Sequence, residues 1–337
     1  MLKLLNRKKG FLICILHFLF HNIFLPSEKN VGLAFAQQLP YYTQFKSNNI
    51  MLNPGVTGTK KLIDARLNYR NQWVGFESAP VTETFSINSR FAKGVMGLGA
   101  MIFSDKTGPT SRTNISLSYA YHVWFDDVEL SLGIAGNRIT YQVDPSLITL
   151  HIPIDPSIDK SVQMESTVYD ASAGAYFYND RFHLGLSILN LREATINFFP
   201  KDDLLHKTQI QMVPHIYGSM GYNWSGQPEW IWENSLQIMY VKANPMNIDY
   251  NLRLHYKQKV FGGFSFRFHD AFALHTGVSF KENFQLGYSY DLVISPLRSF
   301  QSGSHEIMII WSSNLGQDKK GKYMNKEFKR QKYNNMF

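Results

Sequence analysis

Five histidines and two serines fall where a catalytic pair could form. They are His122, His183, His255, His269 and His275, with Ser116 and Ser187. A hydrolase needs a serine and a histidine on one face of adjoining strands, with an acid or amide behind the histidine. No motif ties any of these residues to a nucleophile. We therefore expect lumen or rim residues at these positions, and not an enzyme.

Metal and cofactor chemistry has equally little support. The stretch "HIPIDPSID" at 151–159 offers His151, Asp155 and Asp159, without the spacing that a particular ion requires. Phosphate-loop and dinucleotide motifs are absent. Cys14 is the only cysteine, and it falls in a predicted leader. The sequence predicts no metal, no cofactor and no disulfide in the mature chain.

The leader covers residues 1–36. Lys3, Arg7, Lys8 and Lys9 precede the apolar run "FLICILHFLFHNIFL", and "AFA" at 34–36 supplies small residues before a cleavage point at Gln37. This is the pattern of a cleaved secretory signal peptide. A retained membrane anchor is the alternative, but the run is short for a spanning helix.

The basic charge is concentrated at the two ends of the chain. Residues 1–36 hold five Lys/Arg against one Glu, and residues 317–337 hold seven Lys/Arg against two acids, in a chain of net charge +8. The body between them is near neutral, which excludes a nucleic-acid-binding surface. The tail, residues 316–337, is predicted either to dock on an acidic partner or to be a disordered end.

Between these ends, apolar and polar residues alternate. In "IDARLNYRNQW", Ile63, Leu67, Tyr69 and Trp73 share one parity, whereas Arg66, Asn68, Arg70 and Gln72 share the other. A strand places alternate side chains on opposite faces, so one face is apolar and the other polar.

About 14 segments show this pattern. They are 62–76, 81–92, 94–104, 112–125, 128–141, 166–178, 181–192, 212–224, 229–241, 248–257, 260–269, 271–281, 283–293 and 304–314. Most are longer than the strands of soluble proteins and long enough to cross a membrane at a tilt. Connections after even-numbered segments are tight, whereas several after odd-numbered ones are long: 105–111, 142–165, 193–211 and 294–303.

These features predict an all-β fold, a transmembrane antiparallel β-barrel of the outer-membrane type with about 14 strands over residues 62–315. Aromatic residues near strand ends fit interfacial girdles. A soluble sandwich or propeller would need shorter strands or blade repeats. Residues 37–61 are predicted to be either a plug in the lumen or a periplasmic lead. Gly-rich "GVMGLGAM" at 94–101 indicates a strand with a close neighbour or a strong bend.

Five short motifs occur in order: "YYTQF" at 41–45, "LNPGVTG" at 52–58, "RNQWVG" at 70–75, "APVTETFS" at 79–86 and "GLGAMIFSDKTGPTS" at 97–111. Together they resemble the PorP/SprF family of Bacteroidetes outer-membrane proteins, linked to type IX secretion and gliding motility. The matching positions are Tyr42, Gln44, Asn53, Pro54, Gly58, Arg70, Gln72, Trp73, Pro80, Asp105, Gly108 and Pro109. Gly55, Val56 and Thr57 stand where the family usually has an aromatic and an alanine.

The resemblance implies a non-enzymatic barrel in the outer membrane, surrounded by lipid. Its implied partners are a secreted surface protein with a type IX C-terminal sorting domain, and periplasmic type IX or peptidoglycan-binding components. The matching residues are expected to shape the N-terminal part of the barrel and its first outer loops. A channel or porin for small solutes is the alternative function.

Overall fold

The alternating segments form one closed sheet in a computed structural model. It describes residues 41–60, 63–91, 94–148, 164–198, 209–227, 229–242, 244–280 and 283–313. The predicted signal peptide, the basic tail, and His151, Asp155 and Asp159 lie outside the described residues. Among the described residues, no helix has the length and apolarity needed to cross a membrane.

The described residues form sixteen strands in chain order. They are β1 Ile63–Asn71, β2 Val81–Phe91, β3 Met96–Thr107, β4 Thr110–Phe125, β5 Val128–Val143, β6 Met164–Tyr178, β7 Phe182–Leu189, β8 Thr195–Asn197, β9 Gln209–Gln211, β10 His215–Gln227, β11 Trp230–Val241, β12 Asn247–Tyr256, β13 Val260–Arg267, β14 Ala271–Phe280, β15 Phe284–Val293 and β16 Ser304–Ser313. Short 3-10 helices occur at Phe45–Met51, Pro54–Val56, Pro145–Leu147 and Pro296–Phe300.

Fourteen of these strands close into an antiparallel barrel, which confirms the predicted fold. Each barrel strand pairs with its sequence neighbour, except that β7 pairs with β10 and β1 closes the ring by pairing with β16. The remaining two, β8 and β9, form a separate hairpin. Each of the 14 barrel strands corresponds to one predicted segment.

The two faces of the barrel have opposite character. On β1, Leu67 is 50% exposed on the outside, whereas its neighbours Arg66 and Asn68 are buried on the inside. Because side chains alternate along a strand, the apolar residues of each strand face outward and the polar residues fill the interior, as in a membrane barrel. Exposed aromatics ring one end of the barrel: Tyr121, Tyr222, Trp224, Trp230, Trp232, Phe280 and Phe284.

The connections at one end of the barrel are all short, whereas the long connections lie at the other; these are here called the turn end and the loop end. At the turn end, two residues link β4 to β5 and three link β6 to β7. Predicted loop 105–111 is wrong: β3 and β4 continue to Thr107 and from Thr110, so only Gly108 and Pro109 connect them. Likewise, residues 193–211 contain the β8–β9 hairpin.

The wall is tallest at β4, β5 and β6, which have 16, 16 and 15 residues. At the loop end of this tall wall, the β8–β9 hairpin covers the inner face. Ile196 and Met212 pack there on Ile139, and all three side chains are buried. The result is a small apolar core inside the barrel mouth.

Residues 41–60, which we call the plug, lie inside the barrel. Thr43 and Gln44 contact β16, Asn53 contacts β6 and β7, and Thr57 contacts β4. The plug therefore crosses the lumen, and the first of the two predicted positions for this segment fits its contacts. It runs from near the loop end, at Tyr41, to the turn end, at Lys60.

Candidate functional site

Buried ions hold the first half of the plug. Arg70 on β1 reaches Asp291 of β15 at 2.6 Å and Glu306 of β16 at 3.0 Å. Thr43 of the plug joins both acids: its hydroxyl donates to Asp291 at 2.6 Å, and its backbone N–H donates to Glu306 at 2.8 Å. The hydrogen bonds that satisfy these buried carboxylates thus come partly from the plug itself.

The ion network continues around the wall. Arg267 on β13 pairs with Asp249 at 3.2 Å and with Asp270 at 2.9 Å, and lies 3.8 Å from Asp291. The Tyr41 ring of the plug stacks on this guanidinium, at 5.0 Å from its central carbon to the ring centroid. The buried charges therefore form one network from β12 to β1, and the plug contacts four of its members: Arg70, Arg267, Asp291 and Glu306.

A second buried cluster holds Lys46. Its ammonium group donates to His183 Nδ1 at 3.0 Å and lies 3.4 Å from Glu233. Glu233 also accepts a hydrogen bond from His255 at 2.9 Å. Burial lowers the pKa of Lys46, and the Glu233 carboxylate opposes that shift. The Glu233 carboxylate is therefore the counter-charge of this lysine inside the barrel.

Two arginines bind the next residue, Ser47. Arg253 Nη1 donates to its hydroxyl at 2.6 Å, and Arg66 donates to its carbonyl. Ser47 directly precedes the kink of the 3-10 helix at Asn48, so the two arginines hold the plug at this bend.

Glycines on the wall accommodate the second half of the plug. A β-carbon at Gly133 would overlap Pro54, and one at Gly174 would overlap Asn53. At Gly97, a β-carbon would overlap the Thr57 carbonyl, which identifies the close neighbour predicted for "GVMGLGAM". The plug lies directly on the wall at these points, with its backbone at Gly133 and Gly97 and with the Asn53 side chain at Gly174, so even an alanine would push it away.

Asn53, Thr57 and Gly58 fasten this half by hydrogen bonds. Asn53 caps its own turn by accepting from Gly55 N at 2.8 Å, and donates to the Ala175 carbonyl at 3.0 Å. His122 Nε2 donates to the Thr57 carbonyl at 3.0 Å. Gly58 has a left-handed φ of 76°, which favours glycine.

Lys60 ends the plug at the turn end of the barrel. Its ammonium lies 3.4 Å from Asp64 on β1, which also pairs with Arg66 at 2.6 Å. Burial lowers the pKa of Lys60 to about 8, since the attraction of Asp64 is partly offset by the neighbouring charge of Arg66.

Several small cavities lie beside the plug among the described residues. The cavities that it lines have volumes of about 50, 10, 90 and 10 Å³. A cavity needs at least about 10–15 Å³ of such volume to hold one water molecule. The largest of these four spaces, lined by Lys46, Lys60 and Tyr178, therefore has room for several waters.

The 12 motif positions fall into two groups. Tyr42, Gln44, Asn53, Pro54, Gly58 and Arg70 meet at the contact between plug and wall. Tyr42 donates to or accepts from Thr84 at 3.3 Å, and Gln44 N donates to Glu306 at 3.2 Å. Asp105 lies nearby on β3, in a strand and not in a predicted outer loop, and accepts from Thr82 at 2.6 Å.

The other five positions, Gln72, Trp73, Pro80, Gly108 and Pro109, join loops at the loop end. Gln72 N donates to the Pro80 carbonyl at 2.9 Å, and Gly108 N donates to the Ser78 carbonyl at 3.1 Å. The Pro109 carbonyl accepts from Asp144 N at 2.8 Å. Trp73 follows the end of β1 with a left-handed φ of 55°, so it lies outside the strand predicted to contain it.

The histidines and serines considered for catalysis contact other groups. His122 lies 2.8 Å from Glu129, His275 accepts from Arg253 at 3.1 Å, and Ser187 donates to the Leu52 carbonyl at 2.5 Å. These contacts support the plug and the wall. Within the described residues, no group of three His, Cys, Asp or Glu side chains could hold a metal ion.

Sequence reasoning missed the acids and glycines of the lumen. Asp291, Glu306 and Glu233 occupy the polar parity of their strands, as Arg70 does. Gly133 and Gly174 occupy that parity too. A glycine on a polar strand face has no packing partner of its own, so its parity could have indicated another chain segment against the wall.

Several solved structures are similar to this chain at low sequence identity. The chain resembles a Pseudomonas aeruginosa FadL homologue (11% identity, TM-score 0.46, covering 78% of this chain and 93% of that one). It also resembles the CymD monoaromatic hydrocarbon channel (11% identity, TM-score 0.49, 80% and 93%) and Omp33 of Acinetobacter baumannii (8% identity, TM-score 0.41, 75% and 100%). No curated protein matches.

The family model described as "Type IX secretion system membrane protein PorP/SprF" matches residues 34–311. That range includes the plug and nearly all of the barrel, and the barrel and the family together support an outer-membrane location. The chain belongs to the PorP/SprF family of type IX secretion system membrane proteins.

Proposed function

We propose that this chain is a non-enzymatic scaffold of the type IX machinery in the outer membrane. It assists the export or surface attachment of secreted adhesin-like proteins, or anchors periplasmic components. One observation carries the proposal: the plug crosses the lumen and is bonded to strands on several sides of the barrel, including β1, β4, β6, β15 and β16. A barrel with this interior serves through its surfaces, its loops and its ends.

The plug also weighs against the alternative, a porin for small solutes. A solute path would need the plug to leave, and leaving would break the contacts of Thr43 and Lys46 with Asp291, Glu306 and Glu233. These charge-assisted contacts stabilise the plugged state.

Planar-bilayer recording tests the choice between the two functions. We expect the purified mature protein to insert without steady conductance. Large, steady, nonselective currents from the unaltered protein would contradict the scaffold and favour the porin.

The secretory role needs its own experiment. Deleting the gene and cataloguing surface proteins should show the loss of one or a few proteins with a type IX C-terminal sorting domain. An unchanged surface catalogue would contradict the export role, whatever the bilayer recordings show.

The basic tail is proposed to contact periplasmic components. Truncation after Leu315 should leave the barrel assembled but reduce the recovery of periplasmic partners in pull-downs. Recovery of the same partners at the same yield would show that the tail does not contribute.

A further inference from the structure

The outer surface of the tall wall changes character at one level. On β5, the outward residues Leu132 and Ile134 are 50% and 62% exposed, and they are followed toward the loop end by Arg138, Thr140 and Gln142. On the adjacent β6, Tyr169 pairs with Arg138, Thr167 with Thr140, and Glu165 with Gln142. Side chains that face lipid are apolar, so the row of Arg138 and Tyr169 marks the membrane boundary on the loop side.

Above that row, the polar side chains satisfy one another. Gln142 donates to Glu165 at 2.9 Å, and the hydroxyls of Thr140 and Thr167 are 2.9 Å apart. The polar side chains above the boundary row therefore have hydrogen-bond partners on the adjacent strand.

Two arginines meet at the boundary without an acid. Arg138 is exposed beside Tyr169, whose ring is 60% exposed. Arg192, also exposed, donates from Nη1 to the Tyr169 carbonyl at 3.2 Å, while Asp170 holds its backbone N–H at 2.9 Å. Over the described ranges, neither guanidinium has a carboxylate within ion-pair distance. Two positive charges thus flank one tyrosine where lipid headgroups lie.

An apolar groove of about 380 Å³ lies below this row on the same outer face. Ala175, Leu186 and Gly218 form its centre, side by side on β6, β7 and β10. A β-carbon at Gly218 would meet nothing within 4 Å, so this glycine leaves a gap in the lipid-facing wall. The distance along β6 from Tyr169 to Ala175 is about 20 Å. With a strand tilt of about 45°, this distance corresponds to a depth of roughly one leaflet.

We propose that Arg138, Arg192 and Tyr169 bind the phosphate of a lipid in the loop-side leaflet, with its acyl chain in the groove at Gly218. Guanidinium groups form paired hydrogen bonds with phosphate, and tyrosine is favoured at the headgroup level. The charge of the two arginines selects a phosphorylated lipid over a neutral one. This site is independent of the secretory role proposed above.

Lipid titration followed by native mass spectrometry of the full mature protein tests the proposal. Dimyristoyl phosphatidic acid and dimyristoylglycerol have the same acyl chains and differ by the phosphate. We expect the protein to bind phosphatidic acid about tenfold more tightly, as two charge-assisted contacts allow. Equal affinity for the two lipids would overturn the proposal.

Variants separate the two parts of the site. Arg138→Gln with Arg192→Gln should abolish the preference for phosphatidic acid, whereas the control pair Arg181→Gln with Arg298→Gln, two exposed arginines elsewhere, should preserve it. A preference that survives in the first pair would show that the phosphate binds elsewhere.

The groove has a matched control of its own. Gly218→Leu should weaken the binding of both lipids by a similar factor, because leucine fills the space that the acyl chain would occupy. Gly262→Leu, at another outward glycine with open space around it, should change neither affinity. If Gly218→Leu binds both lipids as the unaltered protein does, the groove is not the acyl-chain site. Heat-modifiable migration in gels confirms that each variant has formed its barrel.

Discussion

Residues 43–47 and residues 53–58 belong to the same plug, yet different interactions hold them. The first stretch is bound by charge: Thr43 and Lys46 contact Asp291, Glu306 and Glu233. The second lies with its backbone against wall glycines, where shape decides the fit. Charge tolerates small displacements and responds to pH, whereas close packing tolerates no added atom and ignores pH. Perturbing each half should therefore give different responses.

Adding a side chain at a wall glycine that contacts the plug should have the largest effect. Gly133→Val places a side chain where Pro54 lies, so the second half of the plug cannot seat. We expect steady conductance in planar bilayers and rapid protease cleavage within residues 41–60. Gly136→Val is the matched control, because Gly136 is on the same strand with open space on the outside. A Gly133→Val barrel without conductance or cleavage would show that the close fit at this glycine does not hold the plug.

Removing the central cation should come next. Arg70→Met leaves Asp291 and Glu306 buried without their shared partner, which we expect to cost about 3–5 kcal/mol in the free energy of unfolding. Urea unfolding in detergent measures the loss. Adding Asp291→Asn and Glu306→Gln should restore part of it, because the unpaired charges are removed. Failure of the triple variant to recover stability would mean that lost packing, and not charge, causes the effect.

The pH response of Lys60 should be smaller. Its pKa in the folded protein, about 8, lies below the ordinary value of 10.5, so the unfolded chain binds more protons between these values. Stability is then full above about 10.5 and is lost as pH falls through about 8, at no more than about 1.4 kcal/mol per pH unit.

Above pH 10, Tyr41 acts in the opposite direction, since burial raises its pKa to about 12. The informative window is therefore pH 8–10, where unfolding midpoints should rise with pH. The rise should shrink in Lys60→Met. An identical slope in this variant would assign the response to another group.

The smallest effect is expected at Thr43. Thr43→Val removes the hydroxyl that Asp291 accepts from and that Arg70 Nη1 donates to at 3.0 Å. We expect a loss of about 1.5 kcal/mol in unfolding free energy. Thr43→Ser keeps the hydroxyl and should retain most of the stability. Equal losses in both variants would indicate that the methyl group matters more than the hydrogen bond.

The sequence predicts the strands of the barrel wall better than the path of the plug inside it. The strands follow from residues that are neighbours in sequence, whereas the plug depends on contacts between distant residues. Alternation is local, so Arg66, Leu67 and Asn68 can be assigned to faces from their neighbours alone. The strand count follows from repeating that assignment. Loop lengths also come from local signals, and they fail where strands continue past a turn signal, as β3 and β4 do around Gly108 and Pro109.

The path of the plug depends on contacts between distant residues. Thr43 meets Glu306 across 263 positions, and Asn53 meets Ala175 across 122. Neither contact produces a periodic pattern in the sequence. The motif resemblance marked Tyr42, Asn53 and Arg70 as a group without showing that they share one interior. Glycine parity was the available clue, since Gly133 faces the plug and Gly136 faces outward.

The seam between β1 and β16 has a consequence for biogenesis. Glu306 on the last strand accepts from Thr43 and Gln44 of the plug and from Arg70 of the first strand. One carboxylate therefore joins the earliest described residues of the chain to the final hairpin. The side-chain hydrogen bonds of Glu306 are complete only when the plug and both closing strands are in place. Seating of the plug and closure of the β1–β16 seam therefore stabilise each other.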